Sequence, residues 1–218
     1  MFSIWKKNRN FPEYIQQYLD QEFVIPAKSE LEELSFAVID AETTGLERSD
    51  QLITLGGVVM SNYGIDLGNC LDQKYEFSTS SEAAAIHEEL PEILNQNLDE
   101  QFEEALTFLS NKIIVGHHIS FDIGKINQTI ASKYPGFKLK NKVLDTFQMM
   151  VRLDPEKYER QVGGRHALQL DEICDDFGIA VENRHTALGD AYMTAQVFMF
   201  LLARFEERGV RFAGELLR

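Results

Sequence analysis

Apolar residues recur along this chain in two spacings, and the switches between them outline its elements. Phe11, Tyr14, Ile15, Tyr18, Leu19 and Phe23 repeat at helical intervals, with Asn10 and Pro12 as start signals. Leu34 to Ile39 is instead a short continuous run rich in β-favouring residues and closed by Thr43-Thr44-Gly45, so it predicts a buried strand entering a turn. Gln51 to Met60 reads as a second strand and Lys74 to Phe77 as a third, with Ser61-Asn62-Tyr63-Gly64 as a turn signal between them. Helical spacing returns over Ser80 to Ile86 and over Asp99 to Ser110, where Phe102, Ala105, Leu106 and Leu109 share a face. Lys112 to Gly116 is the next strand, followed by a helix carrying Ile123, Ile126 and Ile130. Lys142 to Leu144 is a short strand ending at Asp145-Thr146, either of which can cap a helix through Met150. Pro155, Gly163 and Gly164 among charges mark Asp154 to Arg165 as a mobile loop. A helix from about Ala167 to Phe177 stops at Gly178, and a last apolar helix runs through Phe205 with Thr186 as its cap.

Residues 1–30 read as an amphipathic N-terminal helical extension and residues 31–218 as the main domain. The helix is expected to pack on that body, with docking of another protein, such as a polymerase, as the second reading.

Composition narrows the function classes. With 44% apolar and 26% charged residues, the chain has the profile of a soluble globular protein. No apolar stretch reaches membrane-spanning length and the N-terminus lacks a signal-peptide core, so a cytoplasmic location is expected. Cys70 and Cys174 lack metal-binding or redox spacing. A net charge of −14 argues against a broad footprint on duplex nucleic acid, though metal ions in an acidic pocket can reverse the local charge where a phosphate must sit.

Chemistry enters at the end of the first strand. Side chains alternate along a strand, so Asp40 and Glu42 point the same way. Paired carboxylates repel each other and lose solvation, so a fold keeps them mainly where a cation or a proton sits between them. Hard cations such as Mg²⁺ and Mn²⁺ take such oxygen ligands. A lone Asp-x-Glu would more simply be an acidic surface turn; its company changes the weighting. Asp122 lies in a helix's first turn just past a strand's carboxyl end, where open α/β sheets place ligands, although helix-dipole placement alone would explain it. Asp190 belongs in the first turns of the last helix, with His185 in the loop before it, free to swing over a site. His117 and His118 read as packed or loop-bonded residues.

In order and local context these residues resemble the DEDDh group of 3′-to-5′ exonucleases, the superfamily that includes the proofreading epsilon subunit of bacterial DNA polymerase III and ribonuclease T. Asp40-Ala41-Glu42-Thr43-Thr44-Gly45-Leu46 is similar to the group's first motif, Gly116-His117-His118-Ile119-Ser120-Phe121-Asp122 to its second, and His185-Thr186-Ala187-Leu188-Gly189-Asp190-Ala191 to its third. The likeness spans roughly residues 34 to 206, and Val143-Leu144-Asp145-Thr146 is similar to its Asp-Thr step. The sister group has Tyr where Thr186 stands, so the His version matches. His118 departs from the group's usual Asn.

The resemblance implies an α/β, ribonuclease-H-like mixed sheet of about five strands, three antiparallel and then two parallel, with helices on both faces. It implies hydrolysis of phosphodiester bonds at the 3′ end of single-stranded nucleic acid, DNA ahead of RNA, using two divalent ions, Mg²⁺ or Mn²⁺. Asp40 would bridge the ions, Glu42 and Asp190 would complete the first site, Asp122 would hold the second, and His185 would act as general base. A histidine with an ordinary pKa near 6.5 suits that task. Thr43, Thr44, Gly45, Leu46, His118, Phe121 and His87, the last in an Ile86-His87 step like the family's, are the expected substrate contacts. The rival reading is a catalytically silent nucleic-acid-binding or polymerase-interaction module. Because the chain ends at Arg218, soon after the last helix, a free-standing exonuclease, or one docking through residues 1–30, is expected.

Overall fold

A long central strand, β1 (Ser35–Thr43), divides the molecule into two apolar layers. The computed structural model describes residues 11–75, 97–158, 169–181 and 184–218. β1 pairs antiparallel with β2 (Leu52–Ser61), which pairs antiparallel with β3 (Gly64–Lys74). On its other side β1 runs parallel to β4 (Ile113–Gly116), and β4 runs parallel to β5 (Val143–Asp145). The sheet order is therefore β3-β2-β1-β4-β5, the five-stranded mixed sheet expected.

Both faces are covered, which is why β1 and β2 read as continuous apolar runs rather than alternating ones. Phe36 and Val38, with Val58 and Met60 across the ladder, pack under α7 (Ala187–Glu207), α4 (Thr146–Leu153) and α6 (Leu170–Phe177). Ala37 and Ile39 face the opposite way, toward α2 (Leu98–Leu109) and α3 (Ser120–Lys133). Local chemistry sets the helix ends: Asp145 accepts from the Phe147 N–H at 2.9 Å, Thr186 Oγ1 from the Gly189 N–H at 3.2 Å, and Gly178 closes α6 with φ 67°.

The N-terminal helix, α1 (Glu13–Asp20), joins the second layer. Ile15 and Tyr18 are fully buried there, Phe11, Tyr14, Leu19 and Phe23 pack around them, and the Lys140 N–H donates to Tyr18 Oη at 3.0 Å. The apolar face of this helix is thus occupied by the body of the molecule.

Three boundaries differ from expectation. The third strand begins at Gly64, not Lys74, because Asn62 and Tyr63, at φ 46° and 58°, form a tight two-residue turn that folds the chain straight back. Most of β3 is exposed, so Ile65 and Leu67 stand among polar residues and a glycine and give only a weak strand signal. Helix α6 starts at Leu170 rather than Ala167. The loop expected from Asp154 holds a short helix, α5 (Pro155–Tyr158), and the rest of it, with the helix expected over Ser80 to Ile86, lies outside the described residues. No helix among the described residues is long and apolar enough to cross a membrane.

Candidate active site

The carboxyl end of β1 is where the acids meet. Asp40 and Glu42 stand opposite Gly56 and Thr54, on the face that α7 covers. The start of α7 lies directly on β2, since a Cβ on Gly56 would come within 2.2 Å of the Ala187 and Leu188 backbone. That approach carries Asp190, in the helix's first turn, down beside β1. One ligand oxygen each from Asp40, Glu42 and Asp190 lies within 4.8 Å of the others. Asp122 is 6% exposed in the first turn of α3 and stands outside that group of three. His185 precedes α7 with φ 66°, exposed, and lines the same groove as Glu42.

Burial and crowding make these acids hard to ionise. Burial, then Asp122, Asp190 and Glu42, hold the Asp40 carboxyl well above the usual carboxylate range. Burial pushes Asp122 up to about 8, with Glu42 and Asp145 adding. Asp190 is also raised, by burial and by Glu42, against Arg184, which pulls it down. The Oδ1 atom of Asp190 is buried without a hydrogen-bond partner among the described residues. An all-oxygen cluster that repels itself and leaves a buried acceptor unmet fits a hard divalent cation.

This has a consequence for the metal-free protein. Folded Asp122 keeps a proton up to about pH 8, whereas an unfolded carboxyl loses it near 3.9, so the folded state binds the extra proton in between. Stability therefore falls as pH rises across that window. In EDTA, the melting temperature should drop by roughly 6–12 °C between pH 5.5 and 8, from about 3 kcal/mol of linkage at about 2–4 °C per kcal/mol for a chain of this size. Mn²⁺ should restore most of the loss, and Asp122→Asn should flatten the slope. Differential scanning fluorimetry reads all three, and a melting temperature that climbs with pH in EDTA would contradict the electrostatics.

The surroundings are organised by contacts that span long stretches of chain. Lys125 on α3 is buried and donates to the Glu47 and Asp50 carbonyls at 2.5 and 2.7 Å. Asp50 in turn accepts from Thr44 Oγ1 at 3.0 Å and from the Glu47 N–H at 2.6 Å, while Thr43 Oγ1 donates to the Gly45 carbonyl at 2.7 Å. The turn after β1 is thereby fixed, with Leu46 at its tip 87% exposed. Phe121 is partly buried, its ring 5.2 Å from Lys125 Nζ. On the other flank His117 Nδ1 pairs with Thr146 Oγ1 at 2.9 Å. His118, at φ 53°, donates its backbone N–H to Asp145 and lies with its ring centroid 4.7 Å from that of Phe147. His87 falls outside the described residues.

Sequence reasoning passed over Gly56, Asp50, Lys125 and Arg184. Only Gly56 left a local signal, as a glycine pair inside an apolar strand marks a close approach of another backbone.

Comparison with known proteins places this geometry. The pattern of a family described as exonuclease, RNase_T, matches residues 37–198. A DNA polymerase III PolC-type of Thermotoga petrophila is 29% identical over 192 residues, covering 86% of this chain, and this chain spans 13% of that relative's length. A DNA polymerase III subunit epsilon of Aquifex aeolicus is 27% identical over 177 residues, covering 77% of this chain and 80% of the relative. The fold is similar to that of E. coli Exonuclease I in complex with a dT13 oligonucleotide, with a TM-score of 0.61 and 16% identity over 81% of this chain and 43% of that one. With that family match spanning most of its length, the chain belongs to the exonuclease family.

Proposed function

We propose that this protein is a 3′-to-5′ exonuclease that hydrolyses the terminal phosphodiester bond of single-stranded nucleic acid, DNA in preference to RNA. The observation that carries the reading is the convergence of Asp40, Glu42 and Asp190 within 4.8 Å, with Glu42 lining a groove that His185 also lines. Asp40, Glu42 and Asp190 would hold one Mg²⁺ or Mn²⁺ ion, and Asp40 with Asp122 a second. When bound, such ions polarise the phosphoryl group and stabilise charge on the attacking and leaving oxygens of an in-line displacement.

The protein's own groups supply the rest. His185 sits exposed at the groove's wall, where its imidazole can take the proton from the attacking water. The scissile phosphorus–oxygen bond breaks toward the sugar's 3′ oxygen, releasing a nucleoside 5′-monophosphate. Leu46, exposed on its fixed turn, offers an apolar surface to the terminal base, with Thr43, Thr44 and Gly45 behind it. His118, Phe121 and His87 are further proposed contacts with the strand. The DNA preference rests on the DNA polymerase III relatives and on the dT13 oligonucleotide bound by the structural neighbour.

Digestion of a 5′-labelled single strand, as DNA and as RNA, with Mg²⁺, Mn²⁺ or EDTA tests the reading. A ladder shortening from the 3′ end, faster on DNA and absent in EDTA, is expected; intact strands with folded, metal-loaded protein would refute it. His185→Ala should lower kcat by about 10²–10⁴-fold. Mn²⁺ affinity should change little, and the wild type's acid limb in kcat at saturating metal should disappear. A variant that keeps that limb would remove His185 from the role of base.

A further inference from the structure

Among the described residues, Asp190 is gripped by only one of its two oxygens. Arg184 Nη1 donates to Asp190 Oδ2, and Arg184 Nε donates to Asp171 Oδ1 on α6. The other oxygen, Oδ1, is buried and has no partner among the described residues. A carboxylate held at one oxygen, with the second left bare in a dry place, is oriented for something the protein itself does not supply. One oxygen of Asp190 lies within 4.8 Å of one oxygen each from Asp40 and Glu42, within reach of a shared ion.

We propose that Arg184 is a positioning residue: bridged between Asp171 and Asp190, it holds Asp190 by Oδ2 so that Oδ1 is presented to the divalent ion shared with Asp40 and Glu42. The proposal rests on the reading of these acids as metal ligands. Three features of the contact support it. First, a guanidinium is a flat fork of donors able to serve two carboxylates at once, a geometry that a lysine ammonium cannot match. Second, the Arg184 side chain is 21% exposed and that of Asp190 6%, so the metal-facing half of the bridge is largely shielded from water. The Asp171 end, at 50% exposed, is a looser anchor. Third, Arg184 immediately precedes His185, so the bridge ties the histidine's loop to both α6 and α7.

A plain counter-charge is the competing account, and it predicts the opposite sign. If Arg184 only neutralised Asp190, removing it would lessen repulsion of a divalent ion and tighten metal binding. If it positions Asp190, removing it loosens binding, as loss of an outer-shell partner generally does, by about 10–100-fold.

The test is Mn²⁺ binding to the full chain without substrate, followed by electron paramagnetic resonance of the free ion, for Arg184→Gln, Arg184→Lys and Asp171→Asn. Melting temperatures in EDTA are recorded beside it as a check on folding. Arg184→Gln should weaken Mn²⁺ by about 10–100-fold. Arg184→Lys, which keeps the charge and loses the fork, should weaken it nearly as much, and Asp171→Asn should do so to a smaller degree. If the glutamine variant does not fold, the lysine and Asp171 variants decide the matter. Unchanged affinity in those variants, or tighter binding in Arg184→Gln with Arg184→Lys like wild type, overturns the proposal, as does a wild type that binds no Mn²⁺. Wild-type protein that binds Mn²⁺ but degrades no strand would sink the exonuclease reading while leaving this one standing on the affinities.

Discussion

Asp40→Asn should abolish nuclease activity, by a factor on the order of 10³ or more, while making the metal-free protein harder to melt. The two effects have one cause. Asp40 lies at the centre of the acids, where burial and the charges of Asp122, Asp190 and Glu42 all oppose its ionisation. Asparagine keeps its shape without the charge, so the metal-free fold is relieved of repulsion. The same change removes the carboxylate that the neighbouring acids would share in holding cations, so metal affinity and catalysis fall together. Opposite movements of stability and activity are the signature of a site built at the expense of the fold. Parallel loss of both would mean that Asp40 serves the fold alone. The check is a melting curve in EDTA, an Mn²⁺ titration and a cleavage assay on one preparation.

Gly56→Ala should be the most damaging change at a residue with no polar side chain. The added methyl would meet the Ala187 carbonyl carbon and the Leu188 nitrogen at 2.2 Å, and both are backbone atoms that no rotamer can move aside. Either the helix start lifts off β2 or the strand bends, and either shift parts Asp190 and His185 from Asp40 and Glu42. A cost of about 3 kcal/mol or more is expected, above the usual 1–3 kcal/mol of overpacking because backbone is struck. Activity should fall further than stability explains. Gly124→Ala is the natural control, since a Cβ there meets nothing within 4 Å and the residue lies in α3. It should gain about 0.5–1 kcal/mol from helix propensity with cleavage unchanged. Two glycines with opposite responses would tie the effect to the crossing at Gly56, and a well-tolerated Gly56→Ala would show that the crossing has slack.

What could be read along the chain was what local chemistry determines. The placement of Asp40 and Glu42 on one side of β1 follows from strand alternation, and that of Asp190 in a first turn follows from the Thr186 cap. The parallel half of the sheet follows from a strand-helix-strand unit, Ile113 to Asp145, whose connection must cross the sheet. The start of β3 escaped because most of this edge strand is exposed and its apolar signal is weak, although the Ser61 to Gly64 turn that opens it was legible. Lys125, Asp50 and Arg184 escaped for another reason. Lys125 reaches back 75 residues to Asp50, and Arg184 links two helices, so their roles exist only once the chain is folded. A charged residue read alone is a solvated surface residue, and only burial against a particular partner distinguishes these.

The central claim is that the acid cluster hydrolyses a strand from its 3′ end, and the product released first tests it most directly. A single-stranded DNA oligonucleotide labelled in its 3′-terminal nucleotide would be incubated with the protein and Mn²⁺, and the earliest labelled product identified by chromatography. Release of the label as a nucleoside 5′-monophosphate, before any shorter oligonucleotide carries it, is the predicted result. Label appearing first in internal fragments, or staying on full-length strand with metal-loaded protein, would contradict the account.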